Sequence, residues 1–140
     1  MVVLLAGRPL ALRWIAENIP AVLIAFYPGI EGGRALADVL FGDYNPGGKL
    51  PVSMPRSAGQ IPVRHNYKPR PFLEVHPPAY APLFEFGFGS SYTRFEYSDL
   101  KVSPRKVDVK GRVNVSVTVR NAGKREGDEV VQLYINDVYS

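Results

Sequence analysis

Residues 27–56 read YPGIEGGRALADVLFGDYNPGGKLPVSMPR, and this stretch decides the fold. A glycine-rich entry, Gly29, Gly32 and Gly33, leads into a short amphipathic run. Ala35, Leu36, Val39 and Leu40 fall on one helical face. Gly42 stands where a helix C-cap glycine belongs, and Asn45-Pro46-Gly47-Gly48 cannot continue a helix. Residues 49–54 then read as a strand. This is the close of an α/β unit feeding one more strand. Gly32 and Gly33 permit close backbone approach or positive φ. Gly33 is expected to have no room for a side chain, so Gly33→Val should damage folding more than Glu31→Gln.

Toward the N-terminus, residues 2–6 form a continuous apolar run, as expected of a central parallel strand. Pro9 suits the first turn of a helix ending near Asn18, with Leu10, Trp14 and Ile15 as its buried stripe. Pro20 closes that segment, and residues 21–26 read as a second buried strand. Two strand–helix pairs in succession argue for an α/β layer with a parallel sheet. Two strands and two helices do not complete such a layer.

Toward the C-terminus the character changes. Residues 57–93 carry prolines at 62, 69, 71, 77, 78 and 82 with aromatics between them. This is a connector with structure of its own, not a flexible Gly/Ser linker, and so long an irregular stretch has to lie against something. From Phe95 the period is two. Val113, Val115, Val117 and Val119 alternate with Asn114, Ser116, Thr118 and Arg120, the pattern of a half-buried strand. Asn121-Ala122-Gly123 is a turn signal. Val131, Leu133 and Ile135 share the face of a third expected strand. A full β-sandwich needs about seven strands.

Composition is ordinary for a globular chain of 140 residues, with 46% hydrophobic and 21% charged residues. The net charge of +4 is spread evenly: six Lys/Arg against four Asp/Glu in residues 1–66, eleven against nine in 67–140. Nucleic-acid binding needs a clustered basic face, so no nucleic-acid partner is expected. No cysteine is present, which excludes disulfides, thiolate metal sites and a cysteine nucleophile. No segment approaches the ~20 apolar residues of a membrane span, so no membrane partner is expected. The apolar N-terminus lacks a charged leader region and a cleavage site, so it gives no evidence of export and leaves the compartment open.

The same motifs resemble the C-terminal half of family 3 glycoside hydrolases, the β-glucosidase and β-xylosidase group. Their second domain ends in a motif close to PG-x-EGG-x-A-x-ADVLFGDYNP-x-GKLP, which residues 28–51 match nearly residue for residue. The likeness continues in Gly7-Arg8-Pro9-Leu10, in Gln60-Ile61-Pro62-Val63, in residues 86–93 (FGFGSSYT) and in residues 126–134 (EGDEVVQLY). It implies an α/β plus β fold with both domains incomplete. Residues 1–66 would be the end of an α/β sandwich domain, 67–93 a Pro/aromatic-rich connector, and 94–140 the first strands of a fibronectin type III-like domain. The implied activity is retaining hydrolysis of a terminal β-linked glucose or xylose from an oligosaccharide or glycoside, without a cofactor.

A retaining glycosidase needs two carboxyl groups about 5–5.5 Å apart. In the resembled family the nucleophile is an aspartate on an N-terminal barrel, and the acid/base is a glutamate preceding the segment matched here. Neither position maps onto this sequence, so no catalytic residue is assigned and the chain alone is expected to be inactive. The implied partner is that barrel, in the same or a separate chain. The rival readings are a carbohydrate-binding or interaction module, and a non-catalytic subunit completing a separate catalytic chain. Self-association through exposed strand edges is also expected.

Other candidate chemistry is weak. Glu31 reads as a first-turn carboxylate interacting with the helix dipole and loop amides. Asp38 reads as solvated or paired with an arginine, and Asp43 as a turn residue tying down the backbone. The spacing from Gly42 to Leu50 fails the P-loop pattern in two places, and Gly29, Gly32 and Gly33 lack dinucleotide-binding spacing. His65 and His76 are the only histidines and make a poor metal pair, so no metal or cofactor is assigned. His65, where relatives carry an aromatic, and Ser90, where they often carry leucine, depart from the family pattern. Ser91 reads as a turn residue. Tyr67, Tyr80, Phe84, Phe86, Phe88 and Tyr92 read as packing aromatics in preference to a sugar platform.

Overall fold

The computed structural model describes residues 1–66 and 81–136. In chain order the elements are β1 (Val2–Leu4), α1 (Arg13–Asn18), β2 (Val22–Ile24), α2 (Gly32–Phe41), β3 (Phe95–Ser103) and β4 (Asn114–Asn121), with a 3₁₀ turn at Ala58–Gln60. Strand β1 pairs with β2 in parallel, Val2 opposite Val22 and Leu4 opposite Ile24. Strand β3 pairs with β4 antiparallel, Phe95 opposite Asn121 and Ser103 opposite Asn114. The chain thus has the mixed helix and strand content expected, as an α/β part and a β part.

Helix α1 is shorter than its sequence suggests. It begins at Arg13, so Pro9 lies outside it. The buried side chain is Leu12, 5% exposed, whereas Trp14 of the expected stripe is 68% exposed. An Arg13–Glu17 pair at 2.8 Å and an Asn18 side-chain bond to the Trp14 carbonyl support its outer face.

Helix α2 forms as its periodicity predicts and stops where glycine allows. Gly42 adopts the left-handed conformation with φ 86°, which a side chain would oppose. The Gly42 N–H reaches the Val39 carbonyl at 3.2 Å, and the Tyr44 N–H reaches the Asp38 carbonyl at 3.0 Å. These bonds satisfy carbonyls that the last turn leaves open.

At the start of α2 the tight glycine is not the expected one. A Cβ on Gly33 would meet nothing within 4 Å, whereas one on Gly32 would lie 2.7 Å from Pro28 Cβ and Cγ. The proline ring that turns the chain into the helix occupies the space beside Gly32, while Gly33 faces outward. Gly33→Ala is therefore expected to raise the thermal midpoint, by the roughly 0.5–1 kcal/mol that helical alanine gains over glycine. Gly32→Ala is expected to lower it. Paired melting curves decide the matter, and equal losses at both positions would contradict this packing.

Residues 49–54 do not form a regular strand. They run beside residues 83–88 through Leu50 N–H to Phe88 O, Gly87 N–H to Leu50 O, Met54 N–H to Phe84 O and Leu83 N–H to Met54 O, each 2.8 Å. Only Met54 and Phe84 make a true β-bridge. Prolines at 51 and 55 withhold the N–H groups that a continuous ladder requires. This pairing buries Met54 and Ser53. Gly87, at φ 80°, supplies the left-handed position of the tight turn closed by Phe88 N–H to Glu85 O at 3.1 Å.

The β part is a hairpin of two strands with an irregularity between Ser98 and Lys101. Asp99 there has φ 55°, a conformation that aspartate tolerates better than most residues. Glu96 meets Arg94 and Arg120 across one face. The Arg120 hydrogen bond, aided by both positive charges, holds the Glu96 carboxyl below its ordinary value. That contribution is present above the unfolded value of about 4.5 and is lost as pH falls through the folded one. The third strand expected through Val131, Leu133 and Ile135 is not formed; described residues 122–136 carry no strand. The side chains of this segment bind elsewhere.

Candidate functional site

The densest polar contacts join residues 42–49, the loop after α2, to residues 89–97 and 125–129. Asn45 is the centre. It is 7% exposed, and its Oδ1 accepts from the Tyr92 N–H at 2.8 Å and the Ser91 hydroxyl at 3.0 Å. The Ser91 hydroxyl also accepts from the Thr93 N–H, which makes Ser91 the turn residue its sequence suggests. Asn45, not the expected Asp43, is the side chain that ties down this loop: it lies inside the turn, whereas Asp43 is exposed.

Around Asn45 the loop is gripped from both sides. Arg125 donates to the Gly42 carbonyl at 2.6 Å. Its guanidinium lies 5.7 Å from the Tyr92 ring centroid, a cation–π contact. The Tyr92 hydroxyl reaches back to the Val39 carbonyl at 2.9 Å. Tyr44 donates to Asp128 at 2.9 Å. That hydrogen bond, with the aspartate's charge, raises the phenol pKa above its ordinary value. Lys49 and Glu129 meet at 3.3 Å with side chains only 13% and 15% exposed. Lys49 also donates to the Gly89 carbonyl at 2.8 Å, and Glu129 accepts from the Tyr97 hydroxyl at 2.8 Å. Burial first, and Glu129 second, raise the Tyr97 pKa. A part-buried ion pair needs such extra bonds to offset desolvation.

This arrangement pairs the carboxylates around the loop with other side chains. Asp128 meets a phenol, Glu129 a lysine and a phenol, Glu17 an arginine, and Glu96 two arginines. Glu31 stands at the N-cap of α2, exposed, without the side-chain bond to loop amides that its position suggested. Asp38 is half-buried and makes no ion pair among the described residues. The aromatics pack on one another: Phe84 stacks on Phe88 with centroids 5.0 Å apart, and Phe86 on His65 at 4.4 Å. Ser90 is exposed. Tyr67, Tyr80 and His76 lie outside the described residues.

Sequence reasoning quoted residues 126–134 and the loop motif separately, and missed that they bind each other. The signal was there in two short motifs, each dense in polar side chains and glycine. Gly47 belongs to the same contact, since a Cβ there would lie 2.7 Å from the Asp128 carbonyl.

The contacts join the edge of an α/β layer to a β hairpin. The glycosyl hydrolase family 3 C-terminal domain matches residues 1–92. A β-xylosidase of Formosa agariphila is 48% identical over 145 aligned residues, covering 100% of this chain and 20% of that protein. A periplasmic β-glucosidase of Salmonella typhimurium is 47% identical, covering 99% of this chain and 20% of that protein. Among solved structures, a β-glucosidase from Erythrobacter marinus superposes with a TM-score of 0.76 at 44% identity, over 89% of this chain and 17% of that one. The chain belongs to glycosyl hydrolase family 3, as a C-terminal portion of it. It spans about a fifth of the length of the curated relatives it matches.

Proposed function

We propose that this chain is the non-catalytic C-terminal part of a retaining β-glycosidase that removes terminal β-linked glucose or xylose. The observation that carries the reading is coverage: essentially the whole chain aligns with β-xylosidases and β-glucosidases, yet with only 20% of each. The catalytic aspartate and glutamate belong to the region that precedes this match in the relatives, and no residue of this chain takes either role. Residues 1–66 close an α/β sandwich domain, 67–93 connect, and 94–140 open a fibronectin type III-like domain, both domains being completed by other sequence. The bonds of residues 42–49 with residues 89–97 and 125–129 support a part whose task is to fix one domain against the next. The test is complementation. A close relative produced without the fifth of its length that matches this chain is mixed with this chain and assayed on aryl β-glucosides and β-xylosides. Hydrolysis that depends on adding this chain is the expected result; equal activity with and without it would overturn the proposal.

Self-association follows from the same reading. The chain exposes 11298 Å², against about 7,200 Å² for a compact monomer of 15.5 kDa. Among the described residues the buried hydrophobic side chains are Leu12 and Met54 alone. Val113, Val115 and Val119 of the hairpin region are exposed. An uncovered apolar face with open strand edges invites pairing with another copy. Light scattering over a concentration series is expected to show mass rising with concentration. A compact monomer throughout, with protected amides along residues 113–135, would contradict this.

A further inference from the structure

By halves of the chain the charge is balanced; along the β hairpin it is not. Residues 101–112, KVSPRKVDVKGR, hold five Lys/Arg and one acid, Asp108. The whole chain holds seventeen against thirteen, so the other residues balance at twelve against twelve, and the net +4 resides in this one segment. It forms the end of the hairpin: Ser103 closes β3 opposite Asn114 of β4, and residues 104–113 loop between them. Every residue from 97 to 116 is exposed. None of Lys101, Arg105, Lys106, Lys110 and Arg112 forms an ion pair or a side-chain hydrogen bond among the described residues. By contrast, Arg94 and Arg120 both meet Glu96.

The loop is shaped as well as charged. The Gly111 N–H meets the Asp108 carbonyl at 2.7 Å, closing a turn whose central residues are Val109 and Lys110. A Cβ on Gly111 would lie 2.6 Å from Val107 Cβ, so glycine lets that valine sit against the turn. Val109 is fully exposed at the tip, and Val107 is 45% exposed.

We propose that the tip of this hairpin docks on an anionic lipid surface. Two features set the chemistry of the partner. Unpaired cations attract a layer of anionic headgroups. Exposed valines among them gain by entering the boundary between headgroups and acyl chains. A nucleic-acid backbone satisfies the cations but leaves the valines in water, and no aromatic residue between Tyr97 and Tyr134 is available to stack on bases. No helix among the described residues is long and apolar enough to cross a membrane; attachment to its surface needs none. Arg105, Lys106, Lys110 and Arg112 meet the headgroups, and Val107 and Val109 enter between them.

Flotation of the 140-residue chain with lipid vesicles tests this, comparing pure phosphatidylcholine with phosphatidylcholine carrying about one-third phosphatidylserine. The expected result is flotation with the anionic vesicles only. It should be lost as salt rises from about 0.15 to about 1 M and the screening length falls from about 8 to about 3 Å. Lys110→Gln should weaken binding about fivefold, the share of one cation near such a surface. Lys124→Gln removes the same charge from beyond the opposite end of the hairpin, past Asn121, and should leave binding unchanged. Val109→Ser keeps the charge and should weaken binding severalfold. All three side chains are exposed, so their replacement leaves the fold intact. No flotation with anionic vesicles, equal weakening by the two lysine variants, unchanged binding in Val109→Ser, or tighter binding to a short DNA duplex than to the vesicles would overturn the proposal. No hydrolysis is read, so its failure and that of the glycosidase reading are separate results.

Discussion

Gly89→Ala is expected to be among the most damaging single-methyl additions to this chain. A Cβ on Gly89 would lie 2.5 Å from the Gly48 carbonyl oxygen and 3.3 Å from Lys49 Cα. Both are backbone atoms, so no side chain can swing aside. The two strands of chain must separate, and overpacking of this kind costs typically 1–3 kcal/mol. The separation also strains the bond from Lys49 to the Gly89 carbonyl and that from Leu50 N–H to Phe88 O, both 2.8 Å. Gly48→Ala is the matched control. A Cβ there meets nothing within 4 Å, so its effect should be small. Urea midpoints for the two variants check this. Equal midpoints would mean that residues 48–49 and 89 do not approach one another.

Asn45→Ala should be comparably severe for a different reason. The substitution leaves the part-buried Tyr92 N–H without its acceptor, and an unsatisfied donor costs up to about 1–3 kcal/mol where water cannot replace the partner. The Ser91 hydroxyl loses its acceptor too, and it can turn elsewhere. Ser91→Ala takes the acceptor from the Thr93 N–H, a longer bond of 3.2 Å, and leaves the Tyr92–Asn45 bond at 2.8 Å intact. The expected order of destabilisation is therefore Asn45→Ala above Ser91→Ala. Denaturant unfolding of the two proteins measures it. The reverse order would show that the loop is held by Ser91 and not by Asn45.

Much of the architecture was legible in sequence because local rules govern it. The amphipathic period of residues 35–40 and the glycine at 42 define α2 and its end, and the alternation from Val113 predicts β4. Where the reading failed, a tertiary contact overrode the local signal. The strand expected at 130–135 finds no backbone pairing partner among the described residues, while the side chains of Asp128, Glu129 and Gln132 reach Tyr44, Lys49 and the Gly87 carbonyl. Residues 49–54 pair without becoming a strand because two prolines interrupt their donors. Gly32 and Gly33 are indistinguishable in sequence, and only the position of the Pro28 ring separates them. The polar residues at 42–49, 90–93 and 126–129 stood within family motifs, whereas Tyr97 and Arg125 did not. Their mutual bonds span separations such as 84 residues between Tyr44 and Asp128, beyond any periodicity.

The central claim is that this chain belongs to a glycoside hydrolase without carrying its catalytic carboxyl pair. Its most direct test is turnover of aryl β-glucosides and aryl β-xylosides by the purified chain alone. The account predicts no hydrolysis above the uncatalysed rate, since acid/base catalysis alone is worth roughly 10²- to 10⁴-fold and the nucleophile is lacking as well. Measurable turnover that one carboxylate substitution within these 140 residues abolishes would contradict it.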